Sequence, residues 1–93
     1  MFVRVVRFEG TSAERIDELI AEVEGGGPPP GVNIEKLTVL FDEAQSTAVV
    51  LQHYATREDM DAGAAVFDAM DASETPGTRA SVDACEVKIE IDA

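Results

Sequence analysis

The stretch Thr47-Ala48-Val49-Val50-Leu51-Gln52-His53-Tyr54, read beside Phe2-Val3-Arg4-Val5-Val6-Arg7-Phe8, decides the fold. The runs Val3 to Phe8 and Ala48 to Leu51 are apolar on both faces of an extended chain, as expected of strands inside a sheet. Ile34 to Asp42 and Val82 to Ile91 set an apolar face against a charged one, the pattern of edge strands. Leu37, Val39 and Phe41 share one side of the first of these, opposite Lys36, Thr38 and Asp42 beside Ile34 and Leu40. Cys85, Val87, Ile89 and Ile91 share one side of the second, opposite Glu86, Lys88 and Glu90. Two central strands and two edge strands are the expectation.

Helical patterns separate the strands. Thr11 and Ser12 offer N-cap hydroxyls, with Glu14 three residues after Thr11 as a capping-box partner. Ile16, Leu19, Ile20 and Val23 follow at i, i+3, i+4 and i+7, so one helix face is apolar, while Glu14, Glu18 and Glu22 mark a solvated face. Gly25, Gly26 and Gly27 stop this helix, and Pro28 to Gly31 form a stiff spacer placed to rim a pocket. Glu43 to Ser46 supply a turn between the second strand and Thr47 to Tyr54. Thr56 caps the second helix with Asp59 three positions on, and Met60, Ala64, Phe67 and Met70 form its inward stripe. This helix is expected to end through Ser73, Glu74, Thr75, Pro76 and Gly77, with Pro76 and Gly77 at the centre of a type II turn.

Two strand–helix–strand units with right-handed crossovers give an α+β, ferredoxin-like βαββαβ plan over residues 1–93, a single domain. The expected sheet is four-stranded and antiparallel, in the order 4-1-3-2, with both helices on one face. The other face would then expose Val, Phe and Leu of the central strands. A patch of that kind calls for a homodimer packed sheet to sheet, with Arg4 and Gln52 as polar points within or beside the contact.

Composition narrows the partners. Ninety-three residues suit one domain, and 45% hydrophobic with 28% charged residues argues for a folded chain. Nineteen acidic against seven basic residues give a net charge of -12, which repels phosphate backbones and anionic lipid, so neither nucleic acid nor membrane is an expected partner. Cys85 is alone, which excludes an internal disulfide, and its apolar neighbours suggest a small core residue. Met1 leads directly into a strand without a basic region and apolar stretch, so a cytoplasmic location is the expectation.

Few residues offer chemistry. His53 and Tyr54, the single histidine and the single tyrosine, are adjacent on a strand and so point to opposite faces. His53 shares a face with Val49 and Leu51 and is the candidate acid or base, set against a structural, hydrogen-bonded role. Tyr54, Asn33 and Arg79 are candidate substrate-binding residues. Asn33 would orient a hydroxyl or simply serve the turn after Gly31, and Arg79 would meet an anionic ligand or pair with a carboxylate. One His, one Cys and scattered carboxylates form no metal set, and Gly25 to Gly27 follow a helix rather than precede one, the wrong end for a phosphate. No metal and no cofactor are expected.

Element order over the whole length resembles that of the dimeric alpha+beta barrel proteins, in particular small members similar to the antibiotic-biosynthesis monooxygenase group. The likeness is most concrete from Phe67 to Val87, where a helix end rich in Ala and Met runs through Glu74, Thr75, Pro76 and Gly77 into Arg79, Ala80, Ser81, Val82 and Asp83. The resemblance implies a pocket between sheet and helices and a dimer through the helix-free face. Some members oxidise quinol-like or anthrone-like substrates with oxygen and neither metal nor flavin; others have no known activity. Active members commonly use Asn, Trp, His or Tyr in the pocket, and this chain has no Trp. The expectation is a small-molecule-binding or non-catalytic dimeric module, possessing room for a small aromatic ligand. The alternative is a cofactor-independent monooxygenase acting on a quinol-like or aromatic polyketide substrate. An open cavity containing His53 would favour the enzyme, and a closed apolar core the module.

Overall fold

β1 (Phe2–Glu9), α1 (Ala13–Gly26), β2 (Lys36–Asp42), β3 (Thr47–Tyr54), α2 (Arg57–Asp68) and β4 (Thr78–Glu86) follow one another in a computed structural model that describes residues 1–70 and 75–92. The strands form one antiparallel sheet in the order β2-β3-β1-β4, which is 4-1-3-2 read from the other edge. The architecture is α+β and compatible with a ferredoxin-like plan.

Register assigns every strand residue to a face. Phe2, Arg4, Val6 and Phe8 stand opposite Tyr54, Gln52, Val50 and Ala48 of β3, and the last three of these stand opposite Leu37, Val39 and Phe41 of β2. Val6, Phe8, Ala48 and Val50 form the core together with Ile16 of α1, while α2 buries Met60 and Gly63, so both helices lie on this side. A Cβ on Gly63 would lie 2.8 Å from Tyr54 Cζ; the glycine is what lets α2 settle on the Tyr54 ring. The helix-free face carries Val3, Val5, Val49, Leu51 and Leu40, and no Phe. Phe8 is in the core and the Phe2 ring lies 5.1 Å under the Arg57 guanidinium.

Arg4 and Gln52 correct the reading that placed them at the sheet-to-sheet contact. They share the parity of Phe8 and Val50, so both point toward the helices, and both are buried.

Several local expectations also shift. Ser12 rather than Thr11 caps α1, its Oγ accepting from the Arg15 N–H at 3.2 Å, and the left-handed residue that ends the helix is Gly27, φ +68°. Thr56 caps α2 as the spacing indicates, its Oγ1 accepting from the Asp59 N–H at 3.1 Å. α2 stops at Asp68; Ser73 and Glu74, read as part of its end, lie outside the described residues. Gly77 does not adopt the positive φ that a type II turn requires. Its role is steric, since a Cβ there would lie 2.5 Å from Glu9 O. β4 begins at Thr78 and ends at Glu86 because β1, its only partner among the described residues, starts at Phe2. Beyond that rung Val87 N–H donates to Met1 O, and Ile89 and Ile91 are exposed rather than paired. Cys85 is not a core residue: it stands opposite Val3 on the helix-free side of an edge strand and is exposed.

Candidate functional site

α1 touches the core through Ile16, whereas Leu19 and Val23, further along its apolar stripe, are only half-buried. Between them and the sheet lies an open cavity of about 730 Å³. Its floor is Val6, Phe8, Val39 and Val50, Gly27 to Pro29 close one side, and Phe67 and Met70 another. The size falls within the roughly 300–1,000 Å³ of small-molecule pockets. The glycine–proline spacer thus rims the cavity, as its composition suggests.

One end of the cavity is polar, and its chemistry is set by a chain of hydrogen bonds. Tyr54 Oη donates to Gln52 Oε1 at 3.1 Å, and Arg4 Nη1 donates to the same oxygen at 3.1 Å. Arg4 Nη2 donates to Asp68 Oδ1 at 2.9 Å, and Arg79 Nη1 meets that oxygen at 2.7 Å. The Arg4 guanidinium also lies 5.8 Å from the Phe67 ring centre, a cation–π distance. Burial lowers the Arg4 pKa from its usual range, with Asp68 opposing and Arg79 adding to the shift; burial raises the Tyr54 phenol, with Arg4 opposing.

A β-bulge aims Arg79. Arg7 pairs with Ser81 and Phe8 with Arg79, leaving Ala80 as an extra residue. Regular alternation from Ser81 would turn Ala80 toward the helices and Arg79 away; the bulge puts Arg79 opposite Phe8, on the cavity side. Nothing in the sequence marks this irregularity.

The candidate residues are divided among three places. Arg79 lines the cavity and pairs with a carboxylate, that of Asp68. Tyr54 is fully buried behind the cavity and reaches it only through Gln52. Asn33 sits outside, donating from Nδ2 to Asp59 Oδ2 at 3.2 Å and tying the spacer to the first turn of α2. His53 is on the other face, paired across the sheet with Val3 and Lys36. It lines a separate depression of about 310 Å³ with Met1, Val3, Val87 and Ile89, and its Nε2 is buried without a hydrogen-bond partner. The cavity is open but His53 is not in it.

Sequence reading missed Arg4, Gln52 and Asp68 as cavity residues. Arg4 and Gln52 carried a usable signal, being polar interruptions of two central strands at the parity of the apolar core. Asp68 carried none, standing among nineteen acidic residues. Among the described residues, no three side chains of metal-ligating type converge, and no helix is long and apolar enough to cross a membrane. Compared with protein-family models, curated proteins and solved structures, the chain matches none of them.

Proposed function

We propose that the protein is a small-molecule-binding module whose ligand occupies the helix–sheet cavity. The observation that carries this reading is an opening of about 730 Å³ with apolar walls and a few convergent polar groups at one end. The monooxygenase alternative needs a base against a phenol in the same space. His53 lies across the sheet from it, and Asp68 already accepts from two arginines, so binding without chemistry is the better supported reading. The test is a titration with Nile red, a neutral apolar dye. Leu37 lines the cavity from an edge strand and is partly exposed, so Leu37→Trp fills the space from a tolerant position. Dye fluorescence should rise on binding the parent protein and at least about tenfold less tightly on Leu37→Trp, a loss of about 1.4 kcal/mol. No binding, or equal binding by the variant, sinks the proposal.

A homodimer through the helix-free face belongs to the same reading, as does membership of the dimeric alpha+beta barrel proteins. Support comes from Val3, Val5, Val49 and Leu51 at the centre of that face. The strands place Arg7 and Lys36 on this face against Glu9, Asp42 and Asp83, and Glu35 and Glu90 border the depression beside His53. Four strands of about eight residues present roughly 500 Å² of flat area, which, doubled, approaches the roughly 1,000 Å² lower bound for a specific interface.

A further inference from the structure

Among the described residues, charge at the polar end of the cavity does not balance. Arg4 and Arg79 both engage Asp68 Oδ1, two cations on one carboxylate. Arg4 is 3% exposed, and among the described residues two of the five N–H groups a guanidinium carries are bonded, one to Gln52 and one to Asp68. Gln52 Oε1 already accepts from both Arg4 and Tyr54. Glu22, the other acid on the cavity wall among the described residues, is mostly exposed and lies 3.9 Å from Arg15. A buried cation with spare donors and a surplus of one positive charge is an arrangement that a further anion would complete.

We infer that the cavity takes an amphipathic monocarboxylate, its apolar body along Val6, Val39, Val50 and Phe67 and its carboxylate on the Arg4–Arg79 pair beside Asp68. This rests on the small-molecule reading above. The planar fork of a guanidinium matches a carboxylate through paired N–H···O bonds. One anionic charge meets the local surplus, whereas a polyphosphate would face the net charge of -12 of the whole chain. Asp68 holds the two arginines in place and at the same time competes with the ligand for them.

Dodecanoate and dodecan-1-ol, used below their micellar and solubility limits at about pH 8, where a carboxylic acid is ionised, separate the head group from the body. Each is titrated against Nile red bound to the parent protein, to Asp68→Asn and to Arg79→Gln. The acid should displace dye from the parent at a concentration about tenfold below that of the alcohol, since a charged hydrogen bond outweighs a neutral one by roughly that factor. Asp68→Asn removes the competing carboxylate and should tighten the acid several-fold, leaving the alcohol unchanged. Arg79→Gln, at a partly exposed position, should weaken the acid alone. Equal displacement by acid and alcohol, or variants that shift both ligands alike, overturns the inference and leaves the small-molecule reading standing. Absence of dye binding, or of displacement by either ligand, removes both.

Discussion

Tyr54 is fully buried between the sheet and α2, and burial raises its phenol pKa. An unfolded tyrosine ionises near about pH 10, so above that pH the unfolded state loses a proton that the folded state still holds. The Tyr54 contribution to stability is therefore complete below about pH 10 and is lost as pH rises from there toward the folded pKa, by up to about 1.4 kcal/mol per pH unit. Tyr54→Phe should lack this alkaline loss, and because Tyr54 is the single tyrosine, the difference between the two urea-unfolding series isolates it. At neutral pH the variant should be about 1 kcal/mol less stable, having lost the bond to Gln52. Parallel pH profiles for parent and variant would show that the phenol is not the titrating group. At this scale the sequence was partly legible. Adjacency alone sends His53 and Tyr54 to opposite faces, but whether Arg4 and Gln52 face helices or solvent depends on which parity the helices cover, and apolar residues on both faces of β1 and β3 conceal that choice.

β4 shows why an element's existence is easier to read than its limits. Val87, Ile89 and Ile91 alternate as a strand should, yet a ladder requires a partner, and β1 provides none past Phe2. Among the described residues, residues 88–92 make one ion pair, exposed, Lys88 to Glu86 at 3.0 Å and of a kind worth about 0–1 kcal/mol, and Ile89 and Glu90 border the depression beside His53. A chain ending at Val87 keeps the bond to Met1 and should unfold within about 0.5 kcal/mol of the full protein. A loss above about 2 kcal/mol in urea would mean that the terminal isoleucines are part of the fold. The stripe of α1 poses the matching difficulty. Ile16, Leu19, Ile20 and Val23 have the spacing of a core face, and spacing does not say how far a helix stands from the sheet beneath it. Ile16 reaches the core, Leu19 and Val23 border a cavity, and Ile20 is exposed, so the site arises where an apparently ordinary stripe parts from the sheet.

The sheet as a whole has one face occupied by helices and one without them, and this asymmetry bears on assembly. Val5 and Leu51 stand opposite one another at the middle of the helix-free face, on the two central strands. In a two-fold, sheet-to-sheet dimer each would meet its counterpart's neighbours and leave water, at roughly 25 cal/mol for each Å² of apolar surface covered. A long-range cost opposes this, since each protomer carries a charge of -12 and the protomers repel one another until salt screens them over about 8 Å at 0.15 M. Dimerisation should therefore strengthen as salt is raised. In light scattering at micromolar concentration, the mass should approach twice the 9.9 kDa of one chain, more completely at high salt. Leu51→Asp tests the face directly. An isolated protomer tolerates a carboxylate on that side, because Leu51 is only half-buried there, whereas a dimer would bury two unpaired carboxylates close to its axis. The variant should keep the parent's far-ultraviolet circular dichroism and scatter as a monomer. A parent protein already at 9.9 kDa across the salt series, or a Leu51→Asp variant still at twice that mass, would exclude this face as the interface.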